Sequence, residues 1–180
     1  TRHAASLQYD RLPELWAWLA EASFSEQVKM AMRLTIVTAH RASVIAHMRW
    51  QHFDCENAVW TIPEKDIQSA DMGFMKSGRE FSVKIPKALA EALCALPRNC
   101  EFVFSVDGRK PINAETLRRN FQKHSKITTH GFRNTFKTWA LNQNLPVDSF
   151  LVDRYVDHAL AGLDKHYRRD DLFQQRAKLA

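Results

Sequence analysis

Apolar side chains recur at helical spacing along most of the chain, with charged residues on the opposite faces. Ser25, Asn113 and Thr129 stand where side chains cap the starts of helices. The pattern predicts helices over Leu12–Glu21, Glu26–Val37, Arg41–Arg49, Lys87–Leu96, Ala114–Ser125 and His130–Gln143, then from Pro146 or Val147 to Tyr155, and over Leu163–Arg168 and Asp171–Leu179.

The period changes to two near the middle of the chain. Ala58–Pro63 and Phe81–Pro86 alternate and predict two partner strands. The connection Glu64–Glu80 is longer than a hairpin turn, and loops of this length in compact domains tend to be functional or mobile. The expected fold class is therefore α+β, mostly helical with a small antiparallel β-sheet, in one domain over 1–180.

Composition and charge narrow the function. The chain has 180 residues and a net charge of +6, and residues 109–180 hold 14 Lys and Arg against 7 Asp and Glu. A basic half favours a polyanionic partner, although a solvated basic surface explains it too. No apolar run approaches the roughly 18 residues of a membrane span, and the N-terminus lacks a signal-peptide layout, so we expect a cytoplasmic protein without a membrane partner.

The cysteines indicate the same compartment. Cys55, Cys94 and Cys100 are odd in number, widely spaced and form no CxxC pair. We therefore expect free thiols in a reducing cytoplasm. No metal-ligand spacing is apparent, and we expect neither a metal nor another cofactor.

His130 and Arg133 are the first candidates for chemistry. Three positions apart, they share a face at the start of a predicted helix, where N–H groups and the helix dipole favour a phosphate. The pattern is weak alone, since His166 and Arg169 repeat it and a surface pair explains it equally well.

Other candidates are each unremarkable in isolation. An arginine suits bidentate phosphate contacts, a loop lysine can donate a proton, and a tyrosine among cations has a lowered pKa and becomes a better nucleophile. Solvated or packed side chains explain each of them as well. They are Arg41 after a helix break, Lys76 beside Gly78, His158 near a helix end, and Tyr167 in Lys165-His166-Tyr167-Arg168-Arg169.

Read in order, the motifs form a set. They are Thr38-Ala39-His40-Arg41-Ala42-Ser43, Met75-Lys76-Ser77-Gly78-Arg79-Glu80, Thr129-His130-Gly131-Phe132-Arg133, Asp157-His158 and Tyr167-Arg168-Arg169. This set resembles the catalytic domain of tyrosine recombinases, the phage-integrase family, from about Leu34 to Leu172. The local sequence around these motifs is most similar to that of integrases of prophages and integrative islands.

The resemblance implies site-specific DNA recombination, with a role for each residue. Tyr167 would attack the scissile phosphate and form a 3′-phosphotyrosyl link. Arg41 and Arg133 would hold its non-bridging oxygens, with a further hydrogen bond from His158. Lys76 would protonate the leaving 5′ oxygen. His130 would act as acid or base on the tyrosine proton or orient the phosphate.

The resemblance also implies partners. The DNA would carry attachment-type sites, bound by a tetramer whose isolated catalytic domain is a monomer, with possible accessory DNA-bending or excision proteins. The short stretch before Leu34 leads us to expect that the N-terminal core-binding and arm-binding domains are absent. We expect backbone contacts from Arg118, Arg119, Lys123 and Lys126.

Three departures from the family pattern bear on activity. Val44 stands where Glu is common, Ala39 where Gly is usual, and Val156-Asp157 where Leu-Gly commonly precedes the second histidine. Two alternatives to a recombinase stay open. One is a catalytically degraded relative that only binds DNA; the other is a metal-dependent phosphohydrolase using Asp157, His158, Asp164 and His166.

Overall fold

The fold was obtained as a computed structural model that describes residues 6–67, 80–143, 149–156 and 173–179. In these ranges the helices are α1 (Leu12–Glu21), α2 (Glu26–Thr38), α3 (Ala42–Ala46), α4 (Glu64–Ile67), α5 (Lys87–Cys94), α6 (Ala114–Ser125), α7 (Gly131–Asn142), α8 (Ser149–Tyr155) and α9 (Phe173–Arg176). None of the helices described here is long and apolar enough to cross a bilayer. The predicted stretch Leu163–Arg168 lies outside the described residues.

Side-chain caps explain where two of the longest helices begin. Ser25 Oγ accepts a hydrogen bond from the Val28 amide at 3.4 Å, and Asn113 Oδ1 accepts one from the Glu115 amide at 2.8 Å. Both predicted caps are confirmed. The predicted Thr129 cap of α7 is wrong, because the Gly131 amide donates to Thr128 Oγ1 instead, at 3.0 Å.

The sheet has three antiparallel strands in the order β1-β2-β3. They are β1 (Phe53–Asp54), β2 (Val59–Ile62) and β3 (Phe81–Lys84), with Trp60 opposite Phe53 on one side and Val83 on the other. Every second residue is buried, so one face packs on the core as the alternation predicts. The strand β1 was not predicted, because two residues are too few to show a period.

Other bounds differ modestly from the sequence prediction. The helix predicted over Arg41–Arg49 is only α3, the connection after β2 begins with α4, and the last predicted helix is α9 followed by a 3-10 turn over Ala177–Leu179. The predicted fold class, mostly helical with a small antiparallel sheet, is confirmed.

The core has two parts. The larger packs α1, α2, α3, α5 and α6 against the inner face of the sheet, with Leu34, Ile45 and Trp60 among its most buried members. A smaller cluster joins Ala39 at the end of α2 to α7, α8 and the C-terminal turn through Phe136, Tyr155 and Leu179. Phe136 stacks on Tyr155 with ring centroids 4.6 Å apart.

The prediction of three free cysteines is wrong for two of them. Cys55, just after β1, and Cys94, the last residue of α5, form a disulfide, while Cys100 is free. Their Cα atoms lie 6.1 Å apart although 39 positions separate them in sequence. Sequence spacing alone does not reveal this pairing, because packing of α5 against the sheet brings the two residues together.

Candidate phosphate-binding site

Arg41 is placed by the way α2 ends. Ala39 closes the helix in the left-handed region with φ of 53°, and its amide donates to Thr35 O at 3.0 Å. Glycine adopts this conformation without strain, which explains why Gly is usual at this position. The chain then turns through His40 into extended backbone at Arg41, directly before α3. Arg41 is half-buried.

His130 and Arg133 occupy the first turn of α7, as predicted. His130 is exposed at the N-cap position and its carbonyl oxygen accepts from the Arg133 amide at 3.1 Å. Arg133 is 1% exposed and is among the largest fully buried side chains. The turn therefore presents an imidazole to solvent with a guanidinium beneath it. An arginine side chain is rarely fully buried unless its charge is paired or hydrogen-bonded.

Three arginines lie within electrostatic range of the buried His40 side chain. The pKa of His40 is lowered to about 3, mainly by burial and also by the nearby positive charges of Arg133, Arg176 and Arg41, against a hydrogen bond to Thr38 that raises it. These three arginines, from α7, α9 and the α2–α3 junction, are therefore close enough to act on one imidazole. We refer to Arg41, Arg133 and Arg176 as the arginine cluster.

Arg176 is a member that the sequence did not predict. It is 1% exposed, donates from Nη1 to Ser82 O at 2.9 Å and lies over the Phe81 ring at 4.1 Å from its centroid. It follows a basic and polar stretch, and no sequence signal separates it from the surface residues there. His40 was not predicted as a site residue either, because in the sequence it is only one polar residue of the motif around Arg41.

Tyr155 closes the apolar side of this region. Its ring meets that of His40 edge-on at 6.3 Å, and the side chain is 1% exposed. Burial raises the pKa of its hydroxyl, opposed only in part by the charge of Arg176. A phenol that is shielded from solvent and harder to ionise is a poor nucleophile.

Val44 points into the larger core and is 1% exposed. The residue one turn after Arg41 therefore supplies apolar packing, and no carboxylate reaches the arginine cluster from this position.

The structure does not describe every predicted site residue. Lys76, His158 and Tyr167 lie outside the described residues, as do Asp157, Asp164 and His166 of the metal-site alternative. Among the described residues no group of three His, Cys, Asp or Glu side chains is arranged to hold a metal ion.

The residues expected to contact the DNA backbone all lie on the exposed side of α6 or at its end. Arg118 and Arg119 each pair with Glu115 at 3.3 Å, with side chains 48% and 78% exposed. Lys123 is exposed in the last turn, and Lys126 is the exposed C-cap. These four cations form one surface, here called the α6 basic face, and Leu117 and Phe121 fix its orientation by burial on the opposite side.

Comparison with known proteins identifies the class. The sequence pattern of the Phage integrase family matches residues 5–172. The chain is 24% identical over 188 residues to the prophage integrase IntA of Escherichia coli K12 and 27% identical over 181 residues to its prophage integrase IntZ, covering 97% of this chain in both cases. The chain belongs to the phage integrase family of tyrosine recombinases, as the motifs indicated.

The chain spans 42% of the length of both relatives. Its fold is that of solved recombinases. The integrase from mycobacterium phage Brujita superposes with a TM-score of 0.70 at 16% identity, covering 99% of this chain and 57% of that one. A lambda integrase tetramer bound to a Holliday junction gives 0.64 at 17% identity, covering 94% and 50%.

Proposed function

We propose that this chain is the catalytic domain of a site-specific DNA recombinase that cuts and rejoins strands through a 3′-phosphotyrosyl link to Tyr167, for integration or excision of a prophage or genomic island. One observation carries the proposal: the fold brings Arg41, at the start of α3, and the buried Arg133, in the first turn of α7, within electrostatic range of the same buried His40 although they are far apart in sequence. Family membership and the prophage relatives support it.

Two converging arginines suit phosphoryl transfer chemically. Attack on a phosphodiester concentrates negative charge on its equatorial oxygens, and preorganised cations stabilise that charge. A guanidinium is permanently charged and matches two phosphate oxygens at once. In this proposal Arg41 and Arg133 hold the oxygens, with His158 adding a hydrogen bond, so the chemistry does not require a metal ion.

The remaining steps of the proposed reaction are assigned to Tyr167, Lys76 and His130. Tyr167 attacks phosphorus and the bond to the 5′ oxygen breaks, with Lys76 giving a proton to that oxygen. The exposed His130 takes the tyrosine proton or orients the phosphate. The covalent link conserves the phosphodiester energy, so the reverse attack by a DNA hydroxyl rejoins the strand.

DNA is the proposed partner. The +6 net charge and the exposed cations of the α6 basic face support an electrostatic contact with the backbone. Two solved neighbours are a lambda integrase tetramer on a Holliday junction and a lambda integrase dimer on a core site. By analogy we propose that this domain, a monomer alone, works as a tetramer on attachment-type DNA and that accessory DNA-bending or excision proteins assist it. The N-terminal DNA-clamping domains would lie outside 1–180.

One observation favours a second candidate, a relative that binds DNA without cutting it. Val44 brings no carboxylate to the arginine cluster where the family commonly has Glu. Weaker support of Arg41 would lower the rate of cleavage while leaving the basic surface intact.

A suicide substrate distinguishes the recombinase from the DNA-binding relative. The substrate is a nicked DNA duplex that carries the junction between the genetic element encoding this protein and its flanking DNA. We expect a protein–DNA adduct on a denaturing gel in EDTA, absent in Tyr167→Phe. Arg41→Lys and Arg133→Lys each remove the forked donor, and each should slow adduct formation on the order of a hundredfold. Selective DNA binding without any adduct would favour the binding module. Activity abolished by EDTA would contradict the recombinase proposal.

A further inference from the structure

The buried His40 side chain carries a hydrogen-bond acceptor that the proposed reaction does not use. Its Nδ1 lies 2.8 Å from Thr38 O, and a carbonyl oxygen only accepts, so Nδ1 carries the proton. Nε2 is consequently a lone-pair acceptor. Among the described residues this atom is shielded from solvent and has no hydrogen-bond partner. Buried acceptors are nearly always satisfied, so such an atom requires an explanation.

The surroundings of His40 are complementary to that acceptor. The charges that act on it are Arg133, Arg176 and Arg41, and guanidinium groups have donors only. The rings of Trp60, Phe81 and Tyr155 also pack around the imidazole, with centroids 6.1, 5.6 and 6.3 Å away, and none of them donates a hydrogen bond to Nε2. Thr38 holds the backbone as well, since its Oγ1 accepts from the His40 amide at 3.4 Å and donates to Leu34 O at 2.8 Å.

We propose that His40 is a positioning residue whose Nε2 accepts a hydrogen bond from the arginine cluster, with Arg133 as first partner, when the arginines close on a phosphate. The inference rests on the proposed function, because it assigns His40 a part in phosphate capture. Hydrogen bonds of this kind are often long in a free enzyme and tighten in the complex.

A neutral acceptor has an advantage over a carboxylate in this place. A carboxylate would orient a guanidinium but cancel much of its charge, whereas the neutral imidazole orients it and leaves the charge for the phosphate. Burial keeps His40 neutral at the pH of a cell.

Two amide variants separate positioning from packing. His40→Gln places an acceptor near the position of Nε2, while His40→Asn retains a donor near Nδ1 and lacks that acceptor. With single-turnover suicide cleavage at saturating DNA, we expect His40→Asn to be about tenfold slower with unchanged Kd, and His40→Gln to recover to within about threefold. Equal rates for wild type and His40→Asn, or a His40→Gln as slow as His40→Asn at matched Tm, would overturn the proposal.

A second readout does not depend on cleavage. The Arg133 Nε–H signal, assigned by its loss in Arg133→Lys, is followed by ¹⁵N NMR as inorganic phosphate is added. We expect its hydrogen exchange to slow in wild type and His40→Gln, but not in His40→Asn. If wild type forms no adduct, the proposed function fails, and this measurement still decides the role of His40. Identical exchange in all three proteins would overturn it.

Discussion

Arg176 of α9 donates a hydrogen bond from Nη1 to the carbonyl oxygen of Ser82 in β3, at 2.9 Å and across 94 positions of sequence. The same guanidinium covers the Phe81 ring. These two contacts hold α9 against β3, whose residue Phe81 also packs against His40.

Removal of this anchor should destabilise the domain. Arg176→Ala leaves the part-buried carbonyl oxygen of Ser82 without this donor and an empty space over Phe81, and we expect a loss of about 3 kcal/mol in the free energy of unfolding. Urea unfolding measures this. Arg119→Ala is the matched control, since its side chain is 78% exposed in a surface pair and should cost less than about 0.5 kcal/mol. Equal effects of the two variants would contradict the anchoring role.

The disulfide predicts a redox-dependent stability. Cys55 and Cys94 enclose a loop with a sequence separation of 39, and loop-closure entropy assigns such a cross-link about 3 to 4 kcal/mol. We therefore expect a thiol reductant to lower the Tm of the wild type and leave that of the Cys55→Ser, Cys94→Ser double variant unchanged. Cys100→Ser should respond to the reductant like the wild type. A wild-type Tm that is insensitive to complete reduction would contradict this expectation.

The buried His40 predicts a loss of stability in mild acid. Its folded pKa of about 3 lies below the ordinary histidine value of 6.5, so between these values the unfolded chain binds the extra proton and stability rises with pH. From pH 6.5 down to pH 5 this contributes a loss on the order of 2 kcal/mol. The measurement is urea unfolding across this range, compared with His40→Gln, which does not titrate. The same pH dependence in both proteins would show that other groups cause it.

The α6 basic face predicts a salt-dependent affinity. Each lost phosphate contact should reduce the slope of log affinity against log salt by about one. Lys123→Gln and Lys126→Gln test this by fluorescence anisotropy with duplex DNA, with Lys29→Gln as a control far along the chain that pairs with Glu26. Slopes unchanged from the wild type in both α6 variants would place the DNA elsewhere.

Local rules account for what the sequence predicts well. The spacing of apolar residues and the caps at Ser25 and Asn113 depend on neighbours within one turn. The long helices can therefore be predicted from the local sequence. Alternation reveals β2 and β3 for the same reason, because the burial of Trp60 and Val83 repeats at every second residue.

Long-range contacts account for what it does not predict. The Cys55–Cys94 pairing, the short β1 and the buried Arg176 each depend on which elements meet in space. Arg41 and Arg133 were predicted as a pair through a family resemblance, and the structure places both near His40. His40 itself is polar and surrounded by motif residues, so only its burial distinguishes it.

The central claim is that Tyr167 forms the bond to DNA, and mass spectrometry of the adduct tests it most directly. After suicide cleavage and proteolysis, the account predicts a DNA-linked peptide that carries the modification on Tyr167. Tyr155→Phe should give the same adduct, since that hydroxyl is buried and its pKa is raised. A nucleotide on Tyr155 or on any other residue, with Tyr167 unmodified, would contradict the account.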